Sequence, residues 1–337
     1  MSQYVPHEFT IRPAVMDDLE SAVSLFNACS LDLIGVEESD VHDQVVEWKT
    51  PLFDLDTDTR VIIGKEGDLV GYAEVWDIRD PHVSVHSWAR VHPDYLGLGL
   101  GSCLLDWQEE RARLAIDKAP SEAKVTLSQV INSKDKCAQA LLSKYGYRLI
   151  RHFYRMEIEL GDKGFQPRWP DGLTVRAFDP SRDLRSTIMA VKDAFKDHWG
   201  DVDTPLEQEI SFWRHWITTD DNFDPSLWFL ATQGDQIAGM ALCWPKETED
   251  PEMGWVDILG VRRDWRRRGI AVALLNHLFA EFARRGKKRV GLGVDATSLT
   301  GANRVYESAG MRPTRQSDCY EKSLRPGVDL RTQTLER

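Results

Sequence analysis

From Trp255 to Val261 the chain reads Trp-Val-Asp-Ile-Leu-Gly-Val, an apolar stretch of strand length interrupted by one carboxylate. Beyond a basic cluster, Arg266, Arg267 and Arg268, the apolar residues return with another period. Ala271, Leu274, Leu275, Leu278, Phe279 and Phe282 mark one face of a helix running toward Arg285 and Gly286. Lys288 to Val294 reads as a further strand. Gly301 to Met311 reads as a short helix that Gly310 can end, because glycine adopts a positive φ at low cost.

The same order occurs earlier in the chain. Phe9-Thr-Ile-Arg-Pro-Ala followed by Asp18-Leu19 returns as Leu173-Thr-Val-Arg-Ala-Phe followed by Asp183-Leu184. Val91 to Gly101 returns as Val261 to Ala271, and Ala138 to Tyr147 as Ala302 to Met311. A spacing of roughly 165 residues, kept through three landmarks, identifies a tandem duplication. Residues 161–172 hold two prolines and three glycines and cannot continue a strand or helix, so they read as a linker. Two domains are expected, 1–163 and 172–337, each of α/β class with a mixed sheet and helices on both faces.

The junction at 261–271 has a chemical use. A helix start leaves backbone N–H groups without partners and carries partial positive charge, so it can hold a pyrophosphate where the backbone comes close. Gly269 permits that approach, and the arginines stand at its mouth. Val261, Arg266, Gly269 and Ala271, with Tyr306 and Gly310 further on, resemble the landmarks of the GNAT superfamily of N-acetyltransferases: an Arg/Gln-x-x-Gly-x-Gly/Ala turn between strand and helix, then Tyr-x-x-x-Gly-Phe. The resemblance covers nearly the whole chain and is more specific in the second half. Its layout is similar to that of the mycothiol synthases, a likeness of architecture that carries no substrate with it.

The resemblance implies two tandem GNAT (acyl-CoA N-acyltransferase) domains, each a mixed, mostly antiparallel central sheet flanked by helices. It also implies acetyl-CoA as the acetyl donor and direct attack of an amine on the thioester. Arg266, Arg267 and Arg268 then meet the phosphates, Gly269, Ile270 and Ala271 supply backbone donors, and a strand N–H near Leu259 to Val261 receives the oxyanion. Tyr306 is the candidate general acid, since a phenol with a pKa of about 10 stays protonated at neutral pH. Asp257 is either the general base, directly or through water, or a carboxylate that orients a neighbouring loop. Many relatives carry an Asn before the Ala-x-x-x-Tyr helix. Here that stretch is Asp295-Ala-Thr-Ser-Leu-Thr300, and Asn303 is out of register for the role.

In the first half Leu96 stands where the second has Arg266, Leu142 where it has Tyr306, and Ser87 where it has Asp257. Those losses predict a catalytically degenerate copy. Gly97, Gly99 and Gly101 remain, so that half either walls the substrate cleft or still binds coenzyme A.

With 42 basic and 54 acidic residues the net charge is −12, which argues against nonspecific binding to nucleic acid or to an anionic membrane. No run reaches the ~18–20 apolar residues that a membrane span needs, and no signal sequence opens the chain, so a cytoplasmic protein is expected. Cys29, Cys103, Cys137, Cys243 and Cys319 form no C-x-x-C pair and read as reduced thiols. His82 and His86 are too far apart along a strand to suggest a metal site, and no metal is expected. Trp199, Trp213 and Trp216 fall in helical-looking segments where packing is the default, and segment 192–200 is one that could line the cleft.

The function expected is transfer of acetyl to a small-molecule primary amine by a monomer or homodimer. A non-catalytic acyl-CoA sensor or scaffold and a protein N-acetyltransferase are the alternatives.

Overall fold

The computed structural model describes residues 8–162 and 164–334. The first half runs β1 (Thr10–Arg12), α1 (Leu19–Ile34), α2 (Val41–Trp48), α3 (Leu55–Asp58), β2 (Thr59–Ile63), β3 (Leu69–Trp76), β4 (Ser84–Val91), α4 (Leu100–Ala112), α5 (Ala115–Lys118), β5 (Val125–Asn132), α6 (Lys136–Lys144) and β6 (Arg148–Glu159). The second runs β7 (Thr174–Ala177), α7 (Leu184–Phe195), α8 (Leu206–Thr219), β8 (Trp228–Gln233), β9 (Gln236–Trp244), β10 (Met253–Val261), α9 (Ile270–Arg284), β11 (Arg289–Asp295), α10 (Ala302–Ser308) and β12 (Arg312–Arg325).

Two compact units form, and they are not the two halves. One comprises residues up to 150 together with 317–330, the other 151–316 together with the residues from 331 onward. In the first unit, β1 to β5 are adjacent in order, and β12 from Ser317 completes the sheet antiparallel to β5. In the second the order is β6, β11, β10, β9, β8, β7, with β6 antiparallel to β11. Each half therefore gives its last strand to the other unit. The division at 163 and 172 follows the covalent repeat, whereas the compact units exchange one strand across it. Hydrophobic alternation specifies a strand and its buried face, but not which of two equivalent edges it joins.

Each sheet is antiparallel apart from one parallel pair, β4 with β5 in the first unit and β10 with β11 in the second. Within the second unit, α9 covers one face through Leu274, Leu275, Leu278, Phe279 and Phe282, as its period predicts. On the other face α7 and α8 bury Ile188, Ile210 and Trp213 against Trp228, Leu230 and Met240. Gly260 sets how closely α7 approaches: a Cβ there would lie 2.9 Å from Phe195 and 3.2 Å from Ala194. Trp213 packs in α8 as expected, but Trp199 lies beyond the end of α7, outside any helix.

Candidate active site

Parallel pairing of β10 with β11 runs from Met253–Arg289 to Val256–Leu292 and stops, although β10 continues to Val261 and β11 to Asp295. The strands part there, and the β11-facing edge of β10 from Asp257 onward has no strand partner in the register. On its other edge β10 pairs with β9, Val256 opposite Cys243 and Ile258 opposite Leu242, so Asp257 is the extra residue of a β-bulge. A bulge re-aims the side chain that it carries. Leu259 and Val261, both half-buried, follow opposite Ala241 and Gly239.

The first unit opens one residue earlier, after His86–Ser128, and its β3–β4 ladder is unbroken. Trp76 faces His86, Val75 faces Ser87 and Glu74 faces Trp88. Register therefore matches Ser87 to Val256 and Trp88 to Ile258, and the expected match of Ser87 to Asp257 is corrected. Asp257 is a one-residue insertion without a counterpart, and counting from the Val91 and Val261 landmarks alone hid it. Ser87 Oγ is buried, with no hydrogen-bond partner among the described residues.

Asp257 keeps solvent access, yet the surrounding protein raises its carboxyl pKa by desolvation. The nearby charge of Asp257 also contributes to raising the Cys243 thiol, after the larger effect of that thiol's own burial. Tyr306 lies on α10, which packs against α9 and β11. Burial pushes its phenol up to about 12, so it is protonated at any ordinary pH. Leu142, its counterpart, is buried in α6.

Past Val261 comes one turn of 3-10 helix, then Arg266 in an extended conformation, Arg267 at φ 60°, and Gly269 at φ 81° as the N-cap of α9. Left-handed residues in a strand-to-helix turn can bring successive N–H groups into a concavity that suits an anion. Gly269 has no side chain with which to cap α9, whereas Asp40 and Asp135 cap α2 and α6 with theirs. The first unit repeats the turn with Gly97 at φ 80° and Gly99 at φ 84°, flanked by exposed Leu96 and Leu98. Arg267 thus occupies a backbone position that a glycine fills in the first unit, at a cost of about 1 kcal/mol.

The three arginines divide their work. Arg267 and Arg268 are exposed, and Arg268 donates to the Asp264 carbonyl at 2.8 Å. Arg266 turns inward. Its Nε donates to the Val261 carbonyl (3.1 Å), Nη2 to the Ala194 carbonyl (2.9 Å) and Nη1 to Asp197 Oδ2 (2.6 Å). Arg263 bonds the other oxygen of Asp197, and Arg262 bonds Asp193 at 2.7 Å. Sequence reasoning missed Asp193 and Asp197, for nothing in the spacing of α7 marks them as partners of the turn. Ile270 is buried and Ala271 half-buried at the helix start.

His198 packs beside Phe195, ring centroids 4.3 Å apart and ring planes tilted by 44°. Burial, and then the charge of Arg266, lowers its pKa, while Asp295 and Asp197 oppose that. Asn303 donates through Nδ2 to the carbonyls of Asp295 and Ala296, tying α10 to the end of β11. His82 lies in the loop before β4, not on the strand expected to carry it with His86; its Nδ1 is 2.7 Å from Asp77, and His86 Nδ1 is 2.8 Å from Ser128 Oγ.

Comparison with known proteins agrees with this geometry. The profile described as "Acetyltransferase (GNAT) family" matches residues 22–134 and 188–311. A mycothiol acetyltransferase of Streptomyces scabiei is 31% identical over 263 residues, 76% of this chain and 77% of the relative. A GCN5-related N-acetyltransferase of Sphaerobacter thermophilus, of known structure, is 34% identical with a TM-score of 0.79, over 97% of this chain and 99% of that one. A tandem GNAT protein from the clavulanic acid biosynthesis pathway shares the fold at 16% identity, with a TM-score of 0.70 over 95% and 100% of the chains.

Proposed function

Because the chain belongs to the GNAT acetyltransferase family, we propose that it transfers acetyl from acetyl-CoA to the primary amine of a small molecule, with catalysis confined to the second unit. The bulge at Asp257 carries this reading. It places a carboxylate of raised pKa on the one stretch of β10 that has lost its parallel partner, and the first unit has neither bulge nor carboxylate there.

Acetyl-CoA suits the turn that precedes α9: Arg267 and Gly269 hold positive φ, and apart from its chain neighbours no described atom lies within 4 Å of where a Gly269 Cβ would stand. Arg267 and Arg268 meet the phosphates, and Ile270 and Ala271 add donors at the helix start. Arg266 contributes by fixing the shape of the turn. The donor supplies the acetyl thioester; the rest falls to the chain. Asp257 takes the proton from the incoming ammonium, directly or through water, and leaves a nucleophilic amine. Backbone N–H groups on the free edge of β10, near Leu259 to Val261, stabilise negative charge on the carbonyl oxygen as the C–N bond forms. Tyr306 holds its proton for the sulfur as the C–S bond breaks.

The name of the Streptomyces relatives makes their acceptor the first amine to try. The test is thiol release from acetyl-CoA with that acceptor and a panel of other small amines, by wild type and Asp257→Asn. Release by wild type that falls at least about 100-fold in the variant is expected. Absence of release with every amine, despite donor binding, would favour a non-catalytic acyl-CoA sensor.

A further inference from the structure

The loop after α7, residues 196–201, carries Asp197 on one side and Trp199 on the other. Asp197 is bonded to Arg263 and Arg266 of the phosphate turn. Beyond Asp197 the loop is held by residues 331–333. Gly200 N donates to the Thr332 carbonyl (2.8 Å) and Thr332 N to the Asp201 carbonyl (2.9 Å), a reciprocal backbone pair. Thr332 Oγ1 donates to the Lys196 carbonyl (3.0 Å), and Trp199 Nε1 to Gln333 Oε1 (3.1 Å). The guanidiniums of Arg151 and Arg331 lie over the Trp199 ring, 4.5 and 5.8 Å from its centroid. Arg151 in turn bonds Thr297 and lies 3.7 Å from Asp295, at the end of β11.

The remaining backbone bonds of the loop are local turns, such as His198 N to the Phe195 carbonyl and Asp201 N to the His198 carbonyl. Such turns fix a loop's curvature but not its place against the sheet. Its place is set from two sides, by the phosphate turn through Asp197 and by Arg151 with residues 331–333 through Trp199. The loop thereby links the end of β10 with the end of β11, the two strands whose parting makes the opening.

We propose that Trp199, clasped by Arg151, Arg331, Thr332 and Gln333, is a positioning residue for the acetyl donor: the clasp keeps Asp197 where it presets the Arg266 turn. This rests on the reading of that turn as the pyrophosphate site. Trp199 touches no reacting atom. When the clasp loosens, the fraction of molecules with a preset turn falls, and apparent donor affinity falls by the same factor. Chemistry in the saturated complex is unchanged.

Calorimetric titration of acetyl-CoA and steady-state kinetics on the full chain test this with Trp199→Leu, Trp199→Phe and the double variant Thr332→Val, Gln333→Ala. The expected result for Trp199→Leu is a rise of about tenfold in both Kd and KM for acetyl-CoA, with kcat within about twofold of wild type. Trp199→Phe keeps a ring under the guanidiniums and should recover part of the loss. The double variant removes two bonds at half-exposed and exposed positions, and should weaken donor binding even where Trp199→Leu fails to fold. Wild-type donor affinity in a folded Trp199→Leu or in the double variant, or a fall in kcat at unchanged affinity, would overturn the proposal. A wild-type protein that binds no acetyl-CoA would instead remove the pyrophosphate reading on which the proposal rests.

Discussion

Asp197 receives Arg266 Nη1 at 2.6 Å while its other oxygen takes Arg263, so one buried carboxylate at the end of α7 fixes two arginines of the turn that opens α9. The motif arginine, which reads in the sequence as a phosphate ligand, also ties a helix, a strand end and a loop together through these bonds.

Burial disfavours the Asp197 anion, but the bonds from Arg263 and Arg266 outweigh it and hold the carboxyl below the usual range. A depressed folded pKa contributes stability above the unfolded value of about 3.9 and loses it as pH falls through the folded value. Asp197→Ala should cost about 2–3 kcal/mol at neutral pH, measured by urea unfolding, with a smaller difference in acid. Donor affinity should fall with it.

Asp257 runs the other way. Its folded pKa is raised by desolvation, so it favours the folded state only below its unfolded pKa, and that contribution is lost as pH rises through the folded value. Asp257→Asn should therefore raise Tm at neutral pH while it abolishes turnover, and the gain should vanish below about pH 4. The acid limb of wild-type kcat/KM should lie above the ordinary carboxylate range. A limb at or below that range would remove Asp257 as the base.

With Tyr306→Phe, the phenol is lost from a position where burial keeps it protonated. Folding stability should stay within about 1 kcal/mol of wild type. Turnover with a substrate whose thiolate must be protonated should fall by 10- to 100-fold, roughly. Full turnover in this variant would exclude Tyr306 as the acid.

Arg267→Gly copies the first unit, where Gly97 holds the same left-handed backbone. Relief of strain should stabilise the chain by up to about 1 kcal/mol, offset by glycine's freer unfolded state. Loss of the charge should weaken acetyl-CoA binding and its salt dependence. Gly269→Ala should destabilise by about 1 kcal/mol for conformational reasons alone, since an added Cβ would meet no atom within 4 Å.

The sequence carried much of this. The α9 stripe, Gly269 at its start, the short helix ended by Gly310 and the duplication were all legible, because each depends on local period or on a backbone conformation that few residues adopt. The exchange of β6 and β12 was not, since β5 and β11 offer equivalent edges. Nor was the bulge: a single inserted residue leaves the alternation of β10 readable, and only its register against β9 shows that Asp257 lacks a counterpart. Asp197 was hidden because its partners lie 66 and 69 residues away.

On the proposed function, the second unit alone carries the working donor site. Calorimetric titration of acetyl-CoA into wild type and into an Arg267→Ala, Arg268→Ala double variant tests it most directly. One site per chain is expected, weakened at least about tenfold in the variant. Two sites per chain, or a single site that the variant retains at full affinity, would contradict it.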